Sequence, residues 1–281
     1  MIITGSKTEL GKILEKQREN GNIIGFVPTM GALHEGHISL IQNSLKCADI
    51  TVCSIFVNPT QFNDSGDLAR YPRMPEKDAQ MLEKAGCDIL FLPEVSEIYP
   101  QKDNRVFNFG HLDTILEAAH RPGHFNGVAQ VVSILFDIVK PHKAFFGAKD
   151  YQQVMIIKAL TKQLKLNIEV IACPTLREPD GLAMSSRNML LSADERKAAS
   201  LIPVLMQEAK TLKNEGKSIG EIKEYVNKKL SSNPIYKVDY FEICNAETLS
   251  PLISLNNTTK SISLIAVFVG KIRLIDNLAL D

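Results

Sequence analysis

The chain has 281 residues, of which 44% are hydrophobic and 23% charged, and this balance is that of a globular protein with a substantial core. Basic and acidic residues both number 32, so the formal net charge is zero. This gives no electrostatic support for a role on nucleic acid or at a membrane surface. The charged first residues lack the apolar core of a signal peptide, and no later apolar run could cross a bilayer, so we expect a cytoplasmic protein.

The five cysteines are scattered, odd in number and without a CxxC pair. This pattern fits neither a disulfide framework nor a zinc site. We interpret them as small, mostly buried apolar side chains rather than as catalytic groups. They are Cys47, Cys53, Cys87, Cys173 and Cys244.

Strand-like and helical segments alternate through the first 173 residues. Ile23 to Val27 is an apolar run that leads through a glycine-rich turn into helical spacing from Ile38 to Ala48, and ITVCSIFV, residues 50–57, is apolar on both faces. The segments that follow are helical PEKDAQMLEKAG with a C-cap-like Gly86, strand-like DILFLP, helical GVAQVVSILFDIVK, strand-like KAFFG, a helix from Tyr151 to about Leu164, and strand-like IEVIAC. This alternation predicts an α/β fold with a right-handed, mostly parallel sheet.

The pattern changes after Pro174. A polar connection, LREPDGLAMSSRNMLLS, precedes helical stretches from Ala193 to about Asn214 and from Ile219 to Leu230. Three extended segments close the chain, YKVDYFEICN, SISLIAVFV and KIRLID, with a hairpin-like turn at Gly270 between the last two. We therefore predict a domain of residues 1–176 and a smaller α+β domain of residues 177–281.

Two histidines, His34 and His37, stand three residues apart in the turn after the first predicted strand. Ligands bind at the carboxyl ends of parallel strands, and the helix N-terminus that follows favours anions. Gly31 and Gly36 allow the backbone to approach a ligand closely, and imidazoles suit phosphoryl oxygens. HxGH alone leaves phosphate binding and a pair satisfied by local backbone equally open, and metal binding lacks a nearby third ligand.

Two further segments carry charged groups at predicted ligand-binding positions. MSSRN, residues 184–188, is a solvated loop when taken alone, but beside a phosphate site Arg187 would be a bidentate phosphate ligand. GAKDYQQ, residues 147–153, places Lys149 and Asp150 where a strand passes into a helix. A surface lysine beside an N-cap aspartate is the alternative there.

Gln61 in NPTQF and Gln153 provide neutral hydrogen-bonding groups at neighbouring strand ends. Such groups recognise a hydroxyl or a carboxylate without adding charge, although each could simply be an exposed side chain. His124 in RPGHFNG introduces the most apolar helix, and the chemistry of a helix start explains its turn residues without a substrate.

Several motifs recur together in a characteristic order: PTMGALHEGH, FVNPTQF, RPGHFNGVAQVV, FFGAKDYQQ, REPDGLAMSSRN and RLIDN. In this order and spacing the chain closely resembles the pantothenate synthetase (pantoate–β-alanine ligase) family over nearly its whole length. HxGH and the KMSKS-like MSSRN are also shared with class I aminoacyl-tRNA synthetases and nucleotidylyltransferases, so they identify the superfamily only.

The resemblance implies ATP-dependent condensation of (R)-pantoate with β-alanine through a pantoyl-adenylate, giving pantothenate, AMP and pyrophosphate. It also implies Mg²⁺, a cytoplasmic homodimer, and a Rossmann-type domain whose site is covered by the smaller C-terminal domain. The enzyme alternative is a nucleotidylyltransferase that stops at an adenylated or cytidylylated product. A non-catalytic nucleotide-binding protein on the same fold is the alternative from another class.

The family's site residues can be carried over to this sequence. His37 matches the proton donor and His34 its phosphate-contacting companion, and both are expected to act in catalysis with Lys149 and Arg187. The expected ATP-binding residues are Met30, Gly31, Ala32, Leu33, His34, Glu35, Gly36, His37, Gly147, Ala148, Lys149, Asp150, Leu176, Met184, Ser185, Ser186 and Arg187. Gln61 and Gln153 match the pantoate-holding glutamines, and Gln61 also borders the β-alanine position.

Two positions depart from the family pattern: Ala148 replaces a frequent glutamate, and Thr60 replaces a commonly apolar residue beside the pantoate pocket. Neither removes a group that the mechanism needs. No magnesium ligand is assigned, because Asp78 lies near acidic residues associated with metal in relatives but has Lys77 as its neighbour.

Overall fold

The computed structural model describes residues 1–62, 65–256 and 258–281. The chain divides into two compact units, one of residues 1–148 and 152–174, the other of residues 149–151 and 175–281. The second unit thus includes a three-residue segment from the middle of the chain. The separate functions expected of residues 1–176 and 177–281 stay a prediction.

The first unit contains a six-stranded parallel sheet, which confirms the predicted sheet type. Its strands are β1 (Ile2–Thr4), β2 (Ile24–Thr29), β3 (Ile50–Ile55), β4 (Ile89–Phe91), β5 (Lys143–Gly147) and β6 (Glu169–Cys173). They lie in the order β1-β4-β3-β2-β5-β6. The chain therefore leaves β2 and β5 in opposite directions across the sheet, and their carboxyl ends form the switch point where ligands bind in such folds.

Eight helices accompany this sheet among the described residues. They are α1 (Lys7–Glu19), α2 (Glu35–Cys47), α3 (Ser65–Arg70), α4 (Pro75–Ala85), α5 (Val95–Ile98), α6 (Glu117–His120), α7 (His124–Val139) and α8 (Tyr151–Gln163). The helix α4 ends at its predicted C-cap, Gly86, which has the left-handed conformation. Sequence reasoning missed β1 and α1, because β1 is three residues long with two exposed side chains and α1 buries only Leu10 and Leu14.

Alternating side chains of the strands build two cores, one on each face of the sheet. Phe26 of β2 packs in a cluster with residues of α1 and α7. Its neighbour Val27 packs on the opposite face with residues of α2 and α4. Because both faces are covered, all side chains of β3 after Ile50 are buried, as its largely apolar sequence indicated.

The second unit is an antiparallel sheet of β7 (Tyr236–Asn245), β8 (Ser261–Val269) and β9 (Ile272–Ala279). Its helices are α9 (Ala193–Ala199), α10 (Leu201–Asn214) and α11 (Ile219–Ser231), and they share one apolar core with the sheet. The single helix predicted from Ala193 to Asn214 is two helices. Pro203 explains the break, since proline has no N–H and its ring clashes with the carbonyl four residues earlier, at Ala199.

Candidate active site

A buried carboxylate shapes the loop after β2. Asp78 is 1% exposed, and its two oxygens accept the N–H groups of Ala32 at 2.9 Å and Leu33 at 2.8 Å. Gly31 and Ala32 both have positive φ, at 81° and 50°. A Cβ at Gly31 would lie 3.0 Å from Asp78 Oδ2. Asp78 therefore stabilises a backbone conformation that most residues avoid. The sequence suggested only a possible link to metal for this residue and did not indicate its contact with the loop.

The two histidines cap the helix that follows this loop. His34 is the N-cap of α2, and its Nδ1 accepts the N–H of Gly36 at 3.1 Å. His37 Nδ1 accepts the N–H of His34 at 3.3 Å, which completes a capping box built from imidazoles. The ring centroids are 4.1 Å apart.

These contacts determine the tautomer of both rings. An imidazole nitrogen that accepts a hydrogen bond carries no proton, so each neutral ring has its proton on Nε2. The histidines do bond to local backbone groups, as the alternative to phosphate binding expected. These bonds use only Nδ1 of each ring. Each Nε2–H is a donor of the kind that binds phosphoryl oxygens, at a helix N-terminus that itself favours anions.

Gln61 lies in a short 3-10 helix, Pro59–Gln61, after β3, and its side chain is oriented by two neighbours. Asn58 Nδ2 donates to Gln61 Oε1 at 3.2 Å, and Gln61 Nε2 lies 2.7 Å from Met30 Sδ. The structure thus brings together Met30 and Gln61, two site residues that the sequence assigned to different ligands. Gln61 is 8% exposed, so its amide is held in place rather than extended into solvent.

The backbone of Gln61 is held by α7. His124 is 6% exposed; its Nδ1 is 2.9 Å from the carbonyl oxygen of Gln61 and its Nε2 is 3.0 Å from Arg121 Nη1. Since guanidinium only donates, Nε2 accepts and Nδ1–H donates to Gln61. A Cβ at Gly127 would lie 2.5 Å from the Thr60 carbonyl oxygen. Glycine thus permits the close approach of α7 to this turn.

Thr60, which is expected to depart from the family pattern, joins a polar network with Asn58 and Tyr99. Its hydroxyl donates to Asn58 Oδ1 at 3.1 Å, and Tyr99 Oη donates to the same oxygen at 3.0 Å. Burial raises the pKa of Tyr99, so this hydroxyl stays protonated. The network fixes Asn58, which in turn orients Gln61.

The strand β5 ends beside β2 at the switch point. Gly147 is its last residue, Ala148–Asp150 form a 3-10 turn, and α8 begins at Tyr151 with Gln153 in its first turn. Gly147, Ala148 and Gln153 belong to the first unit, whereas Lys149 and Asp150 belong to the second. Among the described residues, no side-chain hydrogen bond is seen between Gln153 and another predicted substrate-binding residue.

The remaining predicted site residues lie in the second unit. Met184 N–H donates to the carbonyl of Leu176 at 3.0 Å, so these two residues face each other across a small hairpin. Ser185 caps a 3-10 helix, Ser186–Leu190, through a 3.3 Å bond from the N–H of Arg187 to its Oγ. The connection predicted as a polar loop is therefore ordered by local bonds, and Arg187 is half-buried.

Burial makes most of the cysteine thiols unreactive. All five are free, and all except Cys47 are buried. Burial raises the pKa of Cys87 and Cys244 to about 12 and that of Cys173 to about 11. Their thiols are protonated at neutral pH and are poor nucleophiles, as the sequence indicated.

Comparison with known proteins gives matches over the full length. A family described as pantoate-beta-alanine ligase matches residues 2–279. A pantothenate synthetase of Porphyromonas gingivalis is 45% identical over 278 residues, 99% of both chains, and one of Bacteroides fragilis is 45% identical over 93% of this chain and 92% of that protein.

Solved structures agree with these matches. The pantothenate synthetase of Thermus thermophilus has a TM-score of 0.93 at 39% identity, over 100% of this chain and 99% of that one. The pantoate-beta-alanine ligase of Francisella tularensis, solved with beta-gamma ATP and beta-alanine, has a TM-score of 0.84 at 37% identity, over 100% and 98%. Within the described residues, none of the helices has the length and hydropathy to cross a membrane.

Proposed function

Because the chain belongs to the pantoate–β-alanine ligase family, we propose that it condenses (R)-pantoate with β-alanine, using ATP and releasing AMP and pyrophosphate. The proposal is carried by the pair of imidazoles at the start of α2, His34 and His37, whose Nδ1 atoms accept backbone N–H groups and whose Nε2 atoms are therefore the donors of the neutral rings. A relative of the same fold, from Francisella tularensis, binds beta-gamma ATP and beta-alanine. Both observations favour a ligase that uses a nucleotide triphosphate.

The chemistry requires activation of pantoate. A carboxylate is a poor electrophile at neutral pH, so its oxygen must first become part of a leaving group. In the first step the carboxylate attacks the α-phosphorus of ATP, pyrophosphate departs and pantoyl-adenylate forms. In the second step the neutral amine of β-alanine attacks the acyl carbon, an amide bond forms and AMP leaves. Neither step needs a protein nucleophile, so the protein acts by positioning and charge stabilisation.

The side chains divide between phosphate and substrate roles. His34 and His37 donate from Nε2 to phosphoryl oxygens, and Lys149 and Arg187 add positive charge for the triphosphate, together with the backbone and hydroxyl groups of the predicted ATP-binding residues. Gln61 and Gln153 hold pantoate through neutral hydrogen bonds. The orientation of Gln61 by Asn58 supports this role, because a preoriented amide loses little entropy on binding.

The described residues do not support a protein-built Mg²⁺ site. They contain no group of three His, Cys, Asp or Glu side chains that could hold a metal ion, and both oxygens of Asp78 accept backbone N–H groups. The expected Mg²⁺ requirement would then rest mainly on ligands from phosphate and water.

Pyrophosphate release distinguishes the proposed ligase from the alternatives. With ATP and pantoate alone we expect one equivalent of pyrophosphate per active site, followed by steady turnover when β-alanine is added. Continuous release without β-alanine would instead indicate a nucleotidylyltransferase. Absence of release with all three substrates would indicate a nucleotide-binding protein without this activity.

A substitution at His124 tests the positioning of Gln61. His124→Ala removes the donor to the Gln61 carbonyl, and a lost hydrogen bond of about 1 kcal/mol predicts a KM for pantoate about 5-fold higher. His124→Asn places an amide group near the position of Nδ1 and should recover much of the loss. Equal KM values for the wild-type and alanine proteins in steady-state assays would argue against this role.

The proposal includes a cytoplasmic homodimer, as the family resemblance implies. Sedimentation equilibrium of the purified protein should give twice the 31.2 kDa chain mass. A mass that stays at one chain over the concentration range of the activity assay would remove the dimer from the proposal without affecting the reaction.

A further inference from the structure

The closing motif RLIDN, residues 273–277, has no part in the reaction described above, yet it contacts a predicted catalytic residue within the second unit. Asn277 lies on β9 and is 8% exposed. Its Nδ2 donates to the main-chain carbonyl of Lys149 at 2.7 Å. The contact joins residues 128 positions apart in the chain.

An ion pair between the partly exposed Arg177 and the buried Asp276 holds Asn277 in place. Arg177 Nη1 lies 2.7 Å from Asp276 Oδ2 and Nη2 lies 3.0 Å from Asp276 Oδ1, and Asp276 is 3% exposed. The same guanidinium donates to the carbonyl of Asn277 at 3.2 Å, and Asp276 Oδ1 accepts the N–H of Asn277 at 2.7 Å. A bidentate pair of this kind is geometrically specific, so the backbone at Asn277 has little freedom.

A second bond supports the same segment. Tyr151, which follows Lys149 by two residues, donates from Oη to the carbonyl of Ala246 at 2.7 Å. The segment of residues 149–151 is thus bonded at both ends to other residues of the second unit. The backbone from which the Lys149 side chain extends is placed by contacts distant in sequence.

We propose that Asn277 is a positioning residue for Lys149, acting through the Lys149 carbonyl and itself fixed by the Arg177–Asp276 pair. This proposal rests on the proposed role of Lys149 at the triphosphate. A lysine side chain has four rotatable bonds, so backbone placement decides which positions its ammonium group reaches at low entropic cost. Misplacement of a catalytic group by about 1 Å can lower a rate by about 10²-fold.

The test is a double-mutant cycle with Asn277→Leu and Lys149→Ala. Leucine has the same branched arrangement of side-chain heavy atoms as asparagine and removes the donor without adding a charge. With Lys149 present, Asn277→Leu should lower kcat/KM for ATP in pyrophosphate release by about 10-fold. In the Lys149→Ala background the same substitution should have almost no further effect, because it acts through Lys149. Asn227→Leu, at an exposed position of α11, is the matched control and should leave the rate unchanged.

The outcomes separate this proposal from the proposed function. If the two fold-losses in kcat/KM multiply in the double variant, Asn277 acts independently of Lys149. That result would overturn the positioning role and leave the proposed function intact. An unaffected rate in Lys149→Ala would overturn both roles. If Asn277→Leu does not fold, Asn277→Gln, which displaces the amide by one methylene, enters the same cycle with the same expected and contradicting results.

Discussion

Replacing His37 by alanine is expected to lower the rate of pyrophosphate release from ATP and pantoate by about 10²- to 10³-fold. Loss of one donor to developing transition-state charge costs about this much in other enzymes. In its proposed role His37 donates from Nε2, because its Nδ1 accepts the N–H of His34. In the proposed function Lys149 contributes a positive charge that stabilises the same triphosphate, so Lys149→Ala should cause a loss of the same order. Single-turnover rates of pyrophosphate release measure both effects.

His37→Asn is the matched variant for the histidine. The asparagine Oδ1 lies near the position of Nδ1, so it can accept the N–H of His34 and preserve the cap of α2, but it offers no donor at the position of Nε2. We expect a thermal midpoint close to that of the wild type and an activity as low as that of His37→Ala. Near-normal turnover of His37→Asn or Lys149→Ala in a folded protein would reject the assigned roles.

Replacing Asp78 by alanine is expected to impair both stability and activity. Two buried N–H groups, of Ala32 and Leu33, would lose a charged acceptor, and hydrogen bonds to charged groups contribute about 1.5–3 kcal/mol each. The loop would then relax from its positive-φ conformation and displace His34, so we expect an activity loss of about 10²-fold. Thermal unfolding and pyrophosphate release measure the two effects.

Asp78→Asn separates loop anchoring from metal binding. Asparagine keeps the size and one acceptor oxygen of aspartate but directs an NH₂ group at the second backbone N–H. The Asp78→Asn protein should therefore be less stable than the wild type and more stable than the Asp78→Ala protein. These differences should persist in EDTA, because the anchoring bonds involve no metal. If the stability of the wild-type protein exceeds that of Asp78→Asn only when Mg²⁺ is present, Asp78 is a metal ligand.

The sequence predicted the features that depend on short segments. Hydrophobic spacing located β2, α2, β5 and α8, and the glycine-rich turn with HxGH marked the ligand-binding end of the sheet. The apolar β3 indicated that both faces of the sheet are covered. The prediction from sequence missed β1, which is short and exposed. It also joined α9 to α10, because helical periodicity continues across Ser200 although Pro203 interrupts the backbone hydrogen bonding.

Contacts between distant residues could not be predicted in the same way. Asp78 lies 46 positions from Ala32, His124 lies 63 from Gln61, and Asn277 lies 128 from Lys149. Asp78 and His124 lie in helices and Asn277 lies in a strand, and each is a polar residue that its own element accommodates without a distant partner. Its partner is a main-chain group, which every residue offers, so residue type alone does not identify the pair.

The sequence by itself determined the fold class, the family resemblance and the chemical types present at the candidate site, because these follow from periodicity, turn chemistry and motif order. Only the tertiary structure decided how the site is held. It assigned the Nε2–H tautomer to His34 and His37, gave Asp78 to the loop backbone, and attached Lys149 to β9. Buried carboxylates and amides take the partners that chain folding brings within hydrogen-bond distance, and that distance is a property of the folded chain.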